Sequence, residues 1–546
     1  MAVRKTADDH KSRKLTSMIR KYNRHFWNGN VPNVSLLLAA ISVALVMSIP
    51  LIYVVYQSLT AGRASWLRLI GTRIPNLLWR TLSLATSVTI GSIVIGVGLA
   101  WLITRTDLPG RRIWRWLLAV PLVIPPYIGA VAYINILGPR GMLFRLLARL
   151  GSDQLNLSYN VFSFSGTLLV MTLFTYPYVF LITSSAFRKL SQTYEEAGRS
   201  MGRGAFYIFL KVNLPLILPA VGAGGVLAFL YVLGDFGAVS MMRYVTFTSA
   251  IFFQRVGFDI PSAAVLSLVL IALTVLVLII EKALRRKKVF YQSSGTARDV
   301  RLLRLGWGKY PALFFVGGIF FLSVFLPVVV LIYWTVIAAG QGLINSSFAG
   351  YMLNSFTIAS FSALFSIILS VPILYLYSRN PSPVSNFIYK SSYTGYALPG
   401  VIVALGLVSL FNNHIPVLYH TVFLLIIAQV IRFMPQALQS GEAAINMISP
   451  RMDESARSLG YSTWKVIFYV TLPSMMPGLL AGGALVFVNT IRELPATLML
   501  RPPGFETLAI RVYYHASEAM YAQAAPGALL IIIISIIPLH LLLKNY

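Results

Sequence analysis

Apolar segments of bilayer-spanning length recur along the whole chain, and they leave it few ways to fold. A helix needs roughly 20 mainly apolar residues to cross a bilayer. Such segments lie at 34–56, 81–104, 116–137, 165–187, 214–233 and 261–280. A second set lies at 311–338, 355–377, 387–411, 416–438, 472–489 and 524–543. Only 11% of the 546 residues are charged and 57% are hydrophobic, whereas soluble domains carry about one-quarter charged residues. The expectation is an all-α integral membrane protein with twelve transmembrane helices.

The net charge of +29 raises the question of nucleic acid, and its distribution answers it. Lys and Arg gather at 4–24, 105–115, 188–211, 282–309 and 451–465. With twelve spans and both termini in the cytoplasm, every cluster falls on the cytoplasmic side, as the positive-inside rule requires. Membrane lipid headgroups and a partner protein account for such charge. No reading motif accompanies it, so no nucleic-acid partner is expected. The first thirty residues lack the short apolar core and small-residue cleavage site of a signal peptide. Cysteine is absent, which excludes disulfides and thiolate metal sites.

The two sets of six segments align. Thr81-Leu82-Ser83-Leu84 corresponds to Ser355-Phe356-Thr357-Ile358, and Ile124-Pro125 to Leu398-Pro399, at an offset of 274 residues. Tyr176-Pro177 corresponds to Met434-Pro435, and Asp235 to Glu493, at an offset of 258. The first half therefore holds about sixteen extra residues within 138–164, on the external side. Six helices per half give both repeats the same orientation, related by an axis along the membrane normal. The expected organisation is a basic N-terminal segment (1–33), a first repeat (34–281), a cytoplasmic linker (282–309) and a second repeat (310–546).

A polar motif is duplicated at matching places, before the fifth helix of each repeat. The first copy reads Glu195-Glu196-Ala197-Gly198, with Gly202 and then Leu214-Pro215. The second reads Asp453-Glu454-Ser455-Ala456, with Gly460 and then Leu472-Pro473. Acids near a helix start favour its dipole, glycine permits a positive φ or a close helix approach, and proline suits entry into the next helix. Each copy, near 190–215 and 448–473, predicts a helix-turn-helix along the membrane surface. Its acids have Arg199, Arg203 or Arg457 as possible partners. An ordinary solvated loop would explain one copy, but not the same pattern in both halves.

This motif resembles the EAA loop of ABC-importer permeases, the element that grips the ATPase. The chain as a whole resembles the fused ferric-iron ABC permeases. The resemblance is carried by Gly234-Asp235-Phe236-Gly237-Ala238-Val239-Ser240, by Arg492-Glu493-Leu494-Pro495-Ala496-Thr497 through Pro502, and by Gly504-Phe505 with Thr507-Leu508-Ala509. It implies two tandem six-helix type I permease repeats in a bacterial inner membrane. It also implies a cytoplasmic ABC ATPase homodimer below, carrying ATP and Mg, and a periplasmic ferric-binding protein above. Gly198 and Ser455 stand where the family usually has alanine, and both are small.

No catalytic residues and no cofactor are expected in this chain. Gly306-Trp307-Gly308-Lys309-Tyr310 fails the spacing and terminal hydroxyl of a phosphate loop, so ATP hydrolysis falls to a separate subunit. The metal-contacting residues are not legible. Ferric ion prefers hard oxygen ligands, but most of the 28 tyrosines are expected to be interface anchors. Asp235 and Glu493 align near the external ends of the fifth and eleventh helices, and Arg432 lies within the tenth. Intramembrane charges line polar paths or pair with one another. Both readings stand for these three residues. His414, His420 and His515 show no ligand-like spacing. Thiamine, polyamine or another small cation is an alternative cargo for the same architecture. An ion-coupled secondary transporter would instead need mid-membrane coupling acids, and a membrane enzyme would need a catalytic constellation.

Overall fold

The computed structural model describes residues 31–139, 141–149, 160–191, 193–286 and 302–544, with Trp27. The basic N-terminal segment up to residue 30, Trp27 apart, and positions 287–301 of the expected linker lie outside the described residues. No named strand occurs among the described residues, only an isolated bridge between Thr106 and Leu303. The fold is all-α. Hydrocarbon offers no partner for a free N–H or C=O, so helices that satisfy their own backbone are the natural answer to this composition.

Ten helices among the described residues are long and apolar enough to cross a bilayer, and two bent pairs bring the number to twelve. The expected third span of each repeat, at 116–137 and 387–411, is not one rod. Arg111–Leu122 meets Pro126–Arg145 at 94°, and Pro383–Tyr396 meets Gly400–His414 at 101°. Proline supplies the reason. It removes a backbone donor and turns the residue before it out of helical geometry. Leu398 sits at φ −89°, ψ 130° before Pro399, and Pro125 at φ −57°, ψ 133° before Pro126.

A second proline effect recurs three times. Phe209–Asn213, Phe321–Phe325 and Ile467–Thr471 are single π-helical turns, each followed by Leu-Pro. In each, the leucine N–H donates five residues back, as from Leu214 to the Phe209 carbonyl. The proline ring clashes with the carbonyl four residues before it, and a wider turn relieves that clash without ending the helix. The first and third π-turns occupy equivalent places in the two repeats. Each joins a surface helix to its membrane span with no loop between them.

The chain divides into two compact units that do not follow the sequence halves. One contains residues 1–56 and 354–505, the other 57–353 and 506–546. Each unit is built on close helix crossings at glycine, as membrane helices without a hydrophobic driving force require. In the second unit a Cβ on Gly224 would lie 2.7 Å from the Val179 Cα. In the first, a Cβ on the equivalent Gly482 would lie 2.8 Å from the Ala437 Cα.

The expected linker is partly structured. Helix Ile260–Arg286 runs past its start. At its other end Leu303 donates to the Arg105 carbonyl at 2.9 Å and accepts from the Asp107 N–H at 3.0 Å. The Asp107 carboxylate then accepts from the Leu305 N–H at 2.8 Å.

Candidate functional site

The duplicated motif folds as expected at the backbone. Thr193–Ser200 and Pro450–Ser458 are short surface helices, with Glu195 and Glu196 in the first turn of one and Asp453 in the first turn of the other. Both end on a left-handed glycine, Gly202 at φ 73° and Gly460 at φ 86°. The closing bonds match: Gly202 N–H to the Arg199 carbonyl and Gly460 N–H to the Arg457 carbonyl, each 2.9 Å. Gly198 permits close packing, since a Cβ there would stand 3.0 Å from the Ile208 Cγ1. Ala456, its counterpart, is buried.

The paired acids divide their work. Glu195 and Asp453 are buried, while Glu196 and Glu454 are exposed, as are Ala197 and Ser455. A buried carboxylate must be paired, and each of these finds an arginine at the end of the second span of its repeat. Glu195 Oε1 lies 3.4 Å from the Arg105 Nε, and Asp453 Oδ2 lies 2.6 Å from the Arg379 Nε. A side chain ahead of the Leu-Pro completes each pair. Asn213 Nδ2 donates to Glu195 at 3.1 Å, and Thr471 Oγ1 donates to Asp453 at 2.9 Å. The same arginines also bond the backbone leaving the fourth span. Arg105 reaches the Leu190 carbonyl at 2.8 Å, and Arg379 reaches the Ile448 carbonyl at 3.1 Å.

Each surface helix is therefore stapled to three membrane helices by one buried arginine and one buried acid. Arg105 aligns with Arg379, Asn213 with Thr471, and Leu190 with Ile448, at the offsets of the sequence repeat. Sequence reasoning missed Arg105, Arg379, Asn213 and Thr471. Their alignment between halves was the available signal. The partners expected from proximity in sequence play smaller parts. Arg199 lies 3.6 Å from Glu195, Arg203 stacks on the Tyr207 ring at 4.8 Å, and Arg457 donates to the Tyr375 hydroxyl at 3.0 Å. Beyond the staple, each helix leaves one large apolar side chain uncovered just before its glycine. Met201 is 75% exposed and Leu459 79%.

Asp235 and Glu493 play equivalent local roles in the two repeats. Both cap the short helix that follows their span. Asp235 Oδ2 accepts from the Ala238 and Val239 N–H groups at 2.9 and 3.2 Å. Glu493 accepts from the equivalent Ala496 and Thr497 N–H groups at 2.9 and 3.0 Å. Glu493 further pairs with Arg432 and accepts from Gln429 at 3.2 Å and from the Thr497 hydroxyl at 2.8 Å. A carboxylate offers about four acceptor positions, so this one is filled. Its side chain is 1% exposed. Of the two readings of Arg432 and Glu493, the geometry supports the structural ion pair. Among the described residues no group of three His, Asp or Glu is placed to hold a metal ion.

Comparison with known proteins agrees with this architecture. The family described as "Binding-protein-dependent transport system inner membrane component" matches twice, over residues 92–289 and 371–544. The chain is 32% identical to the Fe(3+)-transport system permease protein FbpB 2 of Haemophilus influenzae, over 93% of this chain and 98% of that protein. It is 22% identical to the ferric transport system permease protein FbpB of Actinobacillus pleuropneumoniae, over 83% of this chain and 69% of that one. The sulfate transport system permease protein CysW of Escherichia coli is 30% identical over 36% of this chain and 67% of its own length. The two family matches fall one in each repeat, and together with the first relative's coverage they show that this chain belongs to the inner membrane components of binding-protein-dependent transport systems.

Proposed function

We propose that this chain is the permease of an ATP-driven importer and moves ferric iron inward. The observation that carries the importer reading is the pair of stapled surface helices. A transporter driven by its own ion gradient has no use for two matched surface handles. An external engine with two equivalent subunits does. On this reading the basic ends of the helices face the cytoplasm, with both chain termini there. Glu196, Glu454, Met201 and Leu459 then form the docking faces for an ATPase homodimer that carries ATP and Mg. A periplasmic binding protein delivers the cargo to the opposite ends. ATP-driven closure of the ATPase moves the staples, and the second and fourth spans follow them. The pore opens alternately to the two faces.

Ferric iron is favoured by the relatives. Those matched over most of the chain carry iron in their names, whereas the sulfate permease matches about one repeat's length. The test is uptake of labelled ferric iron by cells expressing this chain with its ATPase and binding protein, with thiamine, a polyamine and sulfate as competitors. Iron accumulation that none of these suppresses is the expected result. Replacing Glu196 and Glu454 together with Ala should weaken ATPase co-purification by about tenfold or more, as loss of roughly 1.4 kcal/mol of docking would. Membrane insertion should be unchanged. Normal docking and uptake in that double variant would remove the coupling reading.

A further inference from the structure

Along the helix Val422–Asn446, Glu442 stands apart from the other buried or half-buried acids. Glu195, Asp453 and Glu493 each have an arginine. Asp259 and Glu506 pair with Arg68 and Arg511, and Asp235 caps a helix. Among the described residues no base pairs with half-buried Glu442; the Tyr389 hydroxyl donates to its Oε2. Tyr389 in turn shares a 2.7 Å hydrogen bond with the Tyr393 hydroxyl. The Tyr389 ring is fixed by stacking on Tyr377, with centroids 4.1 Å apart and planes 13° apart. Glu442 also lines a cavity of about 290 Å³, with Tyr377, Ser382, Asn386 and Asn446 around it. That is room for several waters.

Two phenols and one carboxylate thus form a hydrogen-bonded chain, and the carboxylate at its end lines a polar cavity. All lie in one compact unit, on the first arm of the bent third span of the second repeat and on its fourth span. Glu442 is four residues from the end of its helix, and so about 6 Å inside it. The first repeat has nothing comparable, with Ser184, Arg115 and Ala119 at the aligned positions of Glu442, Tyr389 and Tyr393. The hydrogen-bond partner of Glu442 is a phenol and not a base, so a cation bound there would displace no salt bridge. Hard oxygen donors without nitrogen or sulfur select a hard cation.

We propose that Tyr389, Tyr393 and Glu442 form a ferric-ion holding site at the releasing end of the permease. The inference rests on the reading of this chain as a ferric-iron importer and names where the cargo pauses before it leaves. Binding replaces the phenolic protons: each Tyr–OH that ligates gives Tyr–O–Fe(III) and one proton to cavity water, with no change of oxidation state. Three protein donors leave the rest of the iron's coordination sphere to water. The hold is therefore partial, as a transported ion needs if it is to go on.

The test uses the full-length protein in detergent or nanodiscs, with Fe(III) nitrilotriacetate as the probe and Ga(III) as a redox-inert competitor. The wild type should bind one Fe(III) and develop a phenolate-to-iron charge-transfer band in the visible, which Ga(III) abolishes. Tyr389→Phe with Tyr393→Phe should lose the band, and Glu442→Gln should weaken binding by about tenfold or more. Glutamine can still accept the Tyr389 hydrogen bond, so a purely structural Glu442 predicts unchanged iron binding in that variant and would overturn the proposal. Lys390→Gln, an exposed neighbour, should bind as the wild type does. Cellular iron uptake is read in parallel. Uptake by a wild type with no band and no binding would overturn the site and leave the function standing. Binding with a band but without uptake would keep the site and overturn the function.

Discussion

Removing the charge of Asp453 while Arg379 stays in place strands a guanidinium that is only 7% exposed. Breaking a buried pair from one side costs about 3–5 kcal/mol, because the remaining charge keeps its desolvation penalty. Asp453→Asn and Arg379→Gln should each lower the thermal stability of the detergent-solubilised protein and release its ATPase. The double variant should recover part of the stability but not the docking. Glu493→Gln should likewise reduce folded yield, with partial rescue when Arg432→Gln is added. Normal stability of any single variant, measured by thermal unfolding, would refute the staple it belongs to. Of these four residues the sequence marked Asp453, Glu493 and Arg432 and offered Arg432 among the possible partners of Glu493, but it missed Arg379. A chain read in one dimension shows acids near arginines four residues away. It does not show that Arg379, 74 positions earlier, is the one that arrives.

At the scale of elements, the backbone of the surface helices was legible and the bends in the spans were not. Gly202 and Gly460 were read as turn positions, and both sit where an L-residue is strained. Replacing both with Ala should cost about 1 kcal/mol each, the usual penalty of a side chain in the left-handed region. Proteolysis at the turns should accelerate, and ATP-driven uptake should fall more than stability does. The 94° and 101° breaks escaped because hydropathy averages over a window and counts proline as a neutral residue. Conformation around Pro125–Pro126 and Pro399 is decided by a missing donor, which no hydropathy average registers. The π-turns escaped for a related reason. A Leu-Pro after a helical run is equally consistent with a helix start, and only the five-residue hydrogen bond from Leu214 or Leu472 shows that the helix continues.

For the whole molecule, the internal duplication gave the helix count but not the grouping of helices. The first span belongs to a compact unit otherwise made of the second repeat, and residues 309–353 and 506–546 belong to the unit built on the first. Neither sequence half therefore contains a complete unit. Residues 1–290 expressed alone, or 300–546 alone, should be recovered poorly from membranes. Together they should assemble and restore at least part of the uptake. Stable, monodisperse single halves would contradict this, as would well-inserted halves that never associate.

The covalent architecture of the linker has a further consequence. Its two ends, the helix ending at Arg286 and the strand-like contact at Leu303, lie in the same compact unit. What carries the polypeptide from one unit to the other is not the linker. The crossings fall between residues 56 and 57 and between 353 and 354, inside unbroken helices, and between 505 and 506. A specific protease site placed between Ser293 and Ser294 should thus yield a nicked particle. Two bands would separate on a denaturing gel, while the native particle stays whole, because the cut severs a bridge that starts and lands on the same bank.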